Sequence, residues 1–235
     1  MSIEIKPAQS PSTASAPRRA LVTCVDRYMG RAISDRLVRS GIEVLESKAK
    51  LTCQAEVDAL IQEAGSIDIL VANLAEPPKT GPVQSLADED WQRLFATLVD
   101  PLMQLVRAVT PQMLERRSGK IIAVTSAAPL RGIPNNSAYC AARGAQNAFI
   151  KAVGLELARS GVQANAIAQN YINNETYYPD EILKQEKFLE HVKRNVPTNS
   201  VGRPEETAEL AAYLASEDCR HMVGQIIPLA GGWAT

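Results

Sequence analysis

The stretch KIIAVTSAAPLRGIPNNSAYCAARGAQ, from Lys120 to Gln146, decides the fold. It begins with the short run KIIAVTS, which is apolar on both faces and typical of a strand in the interior of a parallel sheet. A turn-rich segment follows, and we predict a helix from Asn136 to Arg159. A buried strand that leads into a long helix is the repeating unit of a sheet covered by helices.

The rest of the chain repeats this alternation. The predicted strands are ALVTC (20–24), IEVLE (42–46), SIDILVAN (66–73), KIIAVTS (120–126), VQANAIAQ (162–169) and GQIIPLA (224–230). The predicted helices are 31–41, 55–64, 88–116 (kinked or interrupted at Pro101), 136–159, 180–194 and 204–216. This pattern predicts an α/β fold: a Rossmann-like, doubly wound parallel sheet in three α/β/α layers, forming a single domain over residues 18–235. The polar residues 1–17, rich in Pro, Ser and Ala, predict a flexible tail.

Composition excludes several classes of function. A net charge of −1 and a pI of about 6.2 give no electrostatic case for binding nucleic acid or a membrane. No apolar run is long enough to span a bilayer, and the N-terminus has no secretory signal, so we expect a cytoplasmic protein. The four scattered cysteines predict neither a disulfide framework nor a metal site. The two histidines are too far apart for metal binding, and we interpret His191 as a surface group.

Three residues at the end of one strand and on the following helix indicate an acid/base site. Ser126 ends the strand, while Tyr139 and Arg143 are four residues apart and therefore share one helix face. The guanidinium stays charged and favours the phenolate form of a neighbouring tyrosine. Taken singly, such a serine is most often a turn residue, and such a Tyr–Arg pair is most often a surface pair.

The turn after the first strand lacks the glycines that bind a dinucleotide. Sheets of this kind hold the pyrophosphate on the backbone of a glycine-rich turn. Here the turn reads TCVDRYMG, residues 23–30, and its only glycine is Gly30. Tyr28 projects where phosphates need open backbone, and Asp26 adds an unfavourable negative charge. Tyr28 is either a packing residue of an ordinary loop or an aromatic side chain that fills a former cofactor site.

Both regions resemble the short-chain dehydrogenase/reductase superfamily, and more closely its cofactor-free branch, the halohydrin (haloalcohol) dehalogenases. Reductases of the superfamily carry a glycine triad at the first turn and Tyr-x3-Lys on the catalytic helix. Residues 23–30 instead carry Thr-x4-Tyr-x-Gly, and residues 126–143 carry Ser-x12-Tyr-x3-Arg, as the dehalogenase branch does. The resemblance extends over residues 20–235.

Other departures from the reductase pattern agree with this resemblance. They are ANLA at 72–75, Leu98 in place of an asparagine, Gln169-Asn170 in place of Pro-Gly, and Ala230-Gly231-Gly232 in place of Asp-Gly-Gly. Together they remove cofactor contacts and leave the serine and tyrosine in place.

The resemblance implies a cofactor-independent conversion of vicinal haloalcohols to epoxides, halide and a proton. Ser126 would hold the substrate oxygen, Tyr139 would act as general base, and Arg143 would favour the phenolate. The implied halide-binding pocket consists of Tyr28, Gln169, Asn170, Tyr171 and Ile172. No cofactor and no metal are expected, and the reverse reaction would open epoxides with azide, cyanide or nitrite. A homotetramer assembled through the helices at 88–116 and 136–159 is also implied.

Several interpretations remain open beside this one. The chain is alternatively a NAD(P)-dependent reductase with a degenerate turn, or a non-catalytic relative with a vestigial site. Tyr177 and Tyr178 are interpreted as loop packing or pocket rim and are left outside the site. Trp233 is interpreted as a packing residue, with a position at a pocket or a subunit interface as the alternative.

Overall fold

Seven strands form one mixed sheet in the computed structural model, which describes residues 3–6 and 17–234. The strands are β1 (Ile3–Lys6), β2 (Arg19–Val22), β3 (Glu43–Ser47), β4 (Ile69–Asn73), β5 (Gly119–Ser126), β6 (Val162–Gln169) and β7 (Ile226–Leu229). Their order across the sheet is β1-β3-β2-β4-β5-β6-β7. All neighbours are parallel except β1, which pairs antiparallel with β3.

The strands are joined by helices. They are α1 (Gly30–Arg39), α2 (Gln54–Ala64), α3 (Asp88–Leu94), α4 (Asp100–Arg116), α5 (Ala128–Arg131), α6 (Ser137–Leu157), α7 (Asp180–Leu183), α8 (Glu186–Asn195) and α9 (Pro204–Ala215). Every residue of the central strands β4 and β5 is buried, which explains their uninterrupted apolar sequence. Helices α2, α4 and α6 contribute to the core on one face of the sheet, and α1 and α9 to the core on the other. The predicted doubly wound, three-layer fold is therefore confirmed.

The prediction of a flexible tail over residues 1–17 is wrong for residues 3–6. These residues form the edge strand β1, with Ile3 opposite Ser47. The Nζ of Lys6 lies 2.6 Å from the carboxylate of Glu46, whose side chain is completely buried. The free edge of β3 and this buried charge hold the segment in place, and neither is visible in the local sequence. Residues 1–2 and 7–16 lie outside the described residues.

The predicted helix over 88–116 is interrupted just before Pro101. A π-helical turn at Phe95–Val99 separates α3 from α4, and Pro101 lies in the first turn of α4, where its missing N–H is tolerated. The turn leaves the carbonyl of Leu98 able to accept a hydrogen bond of 2.6 Å from the side chain of Gln146. The helix predicted over 180–194 is likewise two helices, α7 and α8. None of the helices within 17–234 has the length and apolar character that crossing a membrane requires.

Candidate active site

One cavity at the carboxyl ends of the strands collects most of the side chains that the sequence predicts for the site. Its volume is about 220 Å³. The predicted residues that line it are Tyr28, Ser126, Tyr139, Gln169, Asn170, Tyr171 and Ile172. Arg143 is fully buried beside Tyr139 and does not line the cavity.

Ser126 is the last residue of β5, and its hydroxyl is held from the side of the following turn. Its Oγ accepts a hydrogen bond of 3.1 Å from the amide of Ala128. The side chain of Asn147 donates to the Ser126 carbonyl at 3.2 Å. Because a hydroxyl has one proton and two acceptor positions, Ser126 keeps its proton for an oxygen in the cavity.

Tyr139 and Arg143 lie one turn apart on α6, and their side chains meet. The Nε of Arg143 donates to the Tyr139 hydroxyl at 3.2 Å, and the guanidinium carbon is 5.3 Å from the centre of the phenol ring. The cation is therefore placed directly on the oxygen that a general base would use, as the spacing in the sequence predicts.

The guanidinium of Arg143 has neutral acceptors on every side. It donates to Gln146 Oε1 at 2.8 Å, to the Val124 carbonyl at 3.4 Å and to the Tyr177 hydroxyl at 2.9 Å. No carboxylate within residues 3–6 and 17–234 forms an ion pair with it. Burial by itself lowers the pKa of Arg143, but the surrounding phenols, Tyr139 first, raise it overall, so the cation persists. A buried cation without an acidic partner favours an anion in its neighbourhood.

Gln146 connects this cation to the interrupted helix. Its Oε1 accepts from Arg143 and its Nε2 donates to the carbonyl of Leu98 in the π-helical turn. Leu98 stands where reductases of the superfamily have an asparagine. The Leu98 side chain is apolar, but the Leu98 carbonyl is connected to the site through the side chain of Gln146.

Tyr28 closes the first turn. Its φ is +58°, its ring is buried, and its hydroxyl donates to the Thr125 carbonyl at 3.1 Å. Burial raises its pKa well above the ordinary value, so the phenol stays neutral. The backbone amide of Tyr28 donates to the carboxylate of Glu175 at 2.6 Å.

A nicotinamide dinucleotide, which the superfamily resemblance raises as a possibility, does not fit this turn. A carboxylate already occupies the Tyr28 amide, and the Tyr28 side chain fills the space beside it. The Tyr177 hydroxyl already accepts a hydrogen bond from Nη2 of Arg143. Gly30 is required for a different reason: a Cβ there would lie 2.5 Å from the Cα of Val25, so the glycine permits close packing of the turn.

The predicted halide-binding stretch 169–172 offers fewer free amides than its sequence indicates. The amide of Asn170 donates to the Leu229 carbonyl, and that of Tyr171 donates to the Asn170 side chain. Gln169 is buried, and its side chain accepts from Thr207. Ile172 forms an isolated parallel bridge with Gly202, in which the Tyr171 carbonyl and the Asn173 amide make the hydrogen bonds to Gly202. The amide of Ile172 itself therefore points away from Gly202. The buried Nδ2 of Asn170 also has no acceptor among the described residues.

Three residues of the following loop belong to the site although the sequence interpretation left them outside it. Tyr177 binds Arg143, Tyr178 donates to Asn170 Oδ1 at 2.7 Å, and Glu175 binds the amide of Tyr28. Tyr177 and Tyr178 both line the cavity. The only local signal was the polar and aromatic composition of 173–178 just after a strand, which does not specify which side chains point inward.

Tyr171 is supported from outside the cavity. Its ring stacks on Tyr178 and meets Trp233 edge-on at 5.8 Å, so Trp233 packs behind the pocket within the same chain. Its hydroxyl lies 2.9 Å from Nε2 of His191. His191 is exposed, as expected, but it also holds the ring of a pocket residue.

Comparisons with known proteins agree on the superfamily. The family model described as enoyl-(acyl carrier protein) reductase matches residues 31–234. Nodulation protein G of Rhizobium meliloti (strain 1021) is 33% identical over 92% of this chain and 97% of its own length. The 3-oxoacyl-[acyl-carrier-protein] reductase FabG of Chlamydia trachomatis is 31% identical over 77% of this chain and 71% of its own length.

The similar solved structures include dehalogenases and a dehydrogenase. A structure named as a dehalogenation enzyme superposes with a TM-score of 0.86 at 28% identity, covering 93% of this chain and 98% of that one. Halohydrin dehalogenase HheC bound to ethyl (2S)-oxiran-2-ylacetate gives 0.82 at 28% identity, covering 92% and 97%. A gluconate 5-dehydrogenase from Burkholderia cenocepacia J2315, in complex with NADP and tartrate, gives 0.84 at 27% identity, covering 92% and 94%. The chain belongs to the short-chain dehydrogenase/reductase superfamily, in the family whose model is described as enoyl-(acyl carrier protein) reductase.

Proposed function

We propose that this protein is a cofactor-independent halohydrin dehalogenase. The observation that carries the proposal is the fully buried Arg143, which donates to Tyr139 and has no acidic partner within the described residues. The cation donates to the Tyr139 oxygen at the edge of a cavity that also holds the hydroxyl of Ser126. The closed turn at Tyr28 and the likeness to two dehalogenase structures support the same conclusion.

The first step is a proton transfer within the cavity. Ser126 donates to the hydroxyl oxygen of a vicinal haloalcohol and orients it, and the Tyr139 phenolate takes the hydroxyl proton. The forming alkoxide attacks the neighbouring carbon, where the C–O bond of the epoxide forms as the carbon–halogen bond breaks. The halogen leaves with the bonding electron pair as halide, and the proton passes from Tyr139 to solvent.

The leaving halide needs donors that are not already used. The Ile172 amide meets this need, since Ile172 lines the cavity and its amide has no acceptor among the described residues. Tyr171, with a φ of +52°, shapes the concave backbone that presents the Ile172 amide. In the reverse direction, azide, cyanide or nitrite would enter at the same place and open an epoxide.

The direct test is halide release from 1,3-dichloro-2-propanol with no cofactor added. We expect wild type to release halide and form epoxide, and Tyr139→Phe to be at least about 100-fold slower, because it loses the proton acceptor. Arg143→Lys is expected to be slower by about 10- to 100-fold, because an ammonium cannot reproduce the fixed donors of a guanidinium. Tyr213→Phe, on the outer side of α9, is the matched control and should retain full activity.

A second candidate, a NAD(P)-dependent reductase, is favoured by a separate observation. A cavity of about 370 Å³ at the ends of β2, β3 and β4 is lined by three basic residues, two acidic residues (Asp26 and Glu76), two threonines and several apolar residues; the basic residues are Arg27, Lys48 and Lys50. The curated relatives include a reductase. A change in NADPH fluorescence on mixing, together with reduction of a ketone, would support this second candidate and overturn the dehalogenase proposal. Inertness in both assays would instead favour a non-catalytic relative.

A further inference from the structure

The loop at Asn173–Tyr178 is held in one conformation by Asn174. The buried side chain of Asn174 accepts from the amides of Thr176 and Tyr177 at 3.0 and 2.8 Å and donates to the Ile172 carbonyl at 2.7 Å. Its backbone also bridges Tyr178. The two side chains presented by this turn, Glu175 and Tyr177, are therefore fixed relative to each other.

Glu175 places an anion on the turn that precedes α1. Its carboxylate accepts from the amide of Tyr28 at 2.6 Å, one residue before the position that caps α1. Backbone amides at such a turn bind anions, because the helix dipole and the free N–H groups act together. In a dinucleotide-binding sheet, this is where a phosphate group would lie.

Tyr177 places a hydroxyl on the catalytic cation. The oxygen accepts from Arg143 Nη2 at 2.9 Å and from the Glu76 amide at 3.0 Å, and it donates to the Glu76 carbonyl at 3.2 Å. One donor and two acceptor positions are thus all used. Burial raises the pKa of Tyr177, so this hydroxyl remains neutral beside the cation.

We propose that Glu175 and Tyr177 are positioning residues that supply, from within the chain, the anion and the hydroxyl that a bound dinucleotide would otherwise place on Tyr28 and Arg143. Glu175 acts on the wall of the cavity through Tyr28. Tyr177 acts on the reacting atoms through Arg143, and this part rests on the proposed function. Both contacts come from one short loop, so the loop, rather than a cofactor, organises both ends of the site.

The first test uses hydrogen exchange and is independent of activity. Glu175→Ala should speed exchange at the Tyr28 amide by about tenfold, the equivalent of one hydrogen bond to a charged group, and Glu175→Gln by less because its oxygen still accepts. Tyr177→Phe should speed exchange at the Glu76 amide in the same way. Glu181→Ala, at an exposed position of α7, is the control and should change neither amide.

The second test uses the kinetics of halide release. Tyr177→Phe should lower kcat about tenfold while KM changes by less than about twofold, because the substrate still binds but Arg143 is no longer held on Tyr139. If Tyr177 acts through Arg143, the double variant Tyr177→Phe/Arg143→Lys should be no slower than Arg143→Lys alone. Tyr213→Phe again serves as the control.

The outcomes separate this proposal from the proposed reaction. Unchanged exchange at both amides, or full kcat in Tyr177→Phe of an active enzyme, would overturn the positioning roles. Additive effects in the double variant would overturn the route through Arg143. Faster exchange at the two amides in the Glu175→Ala and Tyr177→Phe variants, together with no halide release by wild type, would support the two loop contacts and overturn the dehalogenase reaction.

Discussion

At the scale of single residues, the site is organised around a cation that has no carboxylate partner among residues 3–6 and 17–234. Arg143 is completely buried, and its bonds go to two phenols, an amide and a main-chain carbonyl. Burying a charge without a counter-charge is costly, so each of these bonds matters for stability as well as for chemistry. Among these partners, Gln146 also donates to the Leu98 carbonyl, in the π-helical turn that precedes α4.

Gln146→Leu removes one acceptor from the guanidinium and leaves the Leu98 carbonyl without its donor. We expect the free energy of unfolding to fall by about 2 kcal/mol, since both groups remain buried, and halide release to slow. Urea denaturation followed by circular dichroism measures the loss. Gln84→Leu, at an exposed position, should lie within about 0.5 kcal/mol of wild type. Equal stability of the two variants would show that Gln146 does not hold Arg143.

At the scale of secondary-structure elements, two junctions hold neighbouring elements together. The turn before α1 packs so tightly that Gly30 has no room for a side chain. The edge strand β1 is held through Lys6, which lies within ion-pair distance of Glu46 and Asp35. The first junction fixes Tyr28, and the second keeps the buried carboxylate of β3 neutralised.

Gly30→Ala should be among the most destabilising small substitutions in the chain. Its Cβ would lie 2.5 Å from Val25 Cα and 2.7 Å from the Cys24 carbonyl oxygen, so the backbone must shift. We expect a loss of about 3 kcal/mol of unfolding free energy. Gly41 has a φ of +78°, and a Cβ added there would meet nothing within 4 Å. Gly41→Ala should therefore lose only about 1 kcal/mol of unfolding free energy. Similar losses in urea denaturation would contradict the packing explanation.

Lys6→Met tests the attachment of β1 and has a defined pH dependence. Partial burial lowers the pKa of Lys6, but its bonds to Glu46 and Asp35 outweigh this and raise the pKa overall. A raised pKa in the folded state means that the stabilisation is fully present below the ordinary value of 10.5 and is lost as the pH rises through the folded-state pKa. We therefore expect a cost of about 1 kcal/mol at neutral pH that shrinks above that value.

Denaturation curves of wild type and Lys6→Met at several pH values measure this difference. The control is Lys48, whose side chain is more than half exposed and whose Nζ lies 3.9 Å from the carboxylate of Glu4. Lys48→Met should change stability little at any pH. A cost for Lys6→Met that grows with alkaline pH would contradict the assigned ion pair.

At the scale of the whole molecule, α6 carries both the site and an apolar outer surface. Its inner face holds Tyr139 and Arg143. The exposed residues on the other side include three apolar ones, Ala148, Ala152 and Leu155, with the charged Lys151 and Glu156 beside them. Leu155 alone is 67% exposed. Apolar residues at helical spacing on an outer face are typical of helix packing between subunits, in keeping with the expected homotetramer.

Ala152→Glu places a charge in the middle of this exposed stripe. We expect it to convert a tetramer to smaller species, because an unpaired charge is costly inside an apolar interface. Light scattering during size-exclusion chromatography measures the mass directly. Ala59→Glu, at an exposed alanine of α2, should leave the mass unchanged. A monomeric wild type would contradict the expectation before any variant is made.

The sequence by itself determined the alternation of strands and helices and the meeting of Tyr139 with Arg143. Both follow from local periodicity: apolar runs form the buried strands, and residues four apart share a helix face. The closed first turn was also predictable, because Tyr28 stands where phosphates need bare backbone. These features depend on neighbours within a few residues along the chain.

Only the tertiary structure decided which side chains complete the site. Glu175 reaches the Tyr28 amide across 147 residues, Tyr177 reaches Arg143 across 34, and Leu98 meets Gln146 across 48. The pairing of β1 with β3 is likewise a contact between distant segments. Such contacts depend on how the loops pack at the carboxyl edge of the sheet, and the local pattern of polar and apolar residues carries no information about that packing.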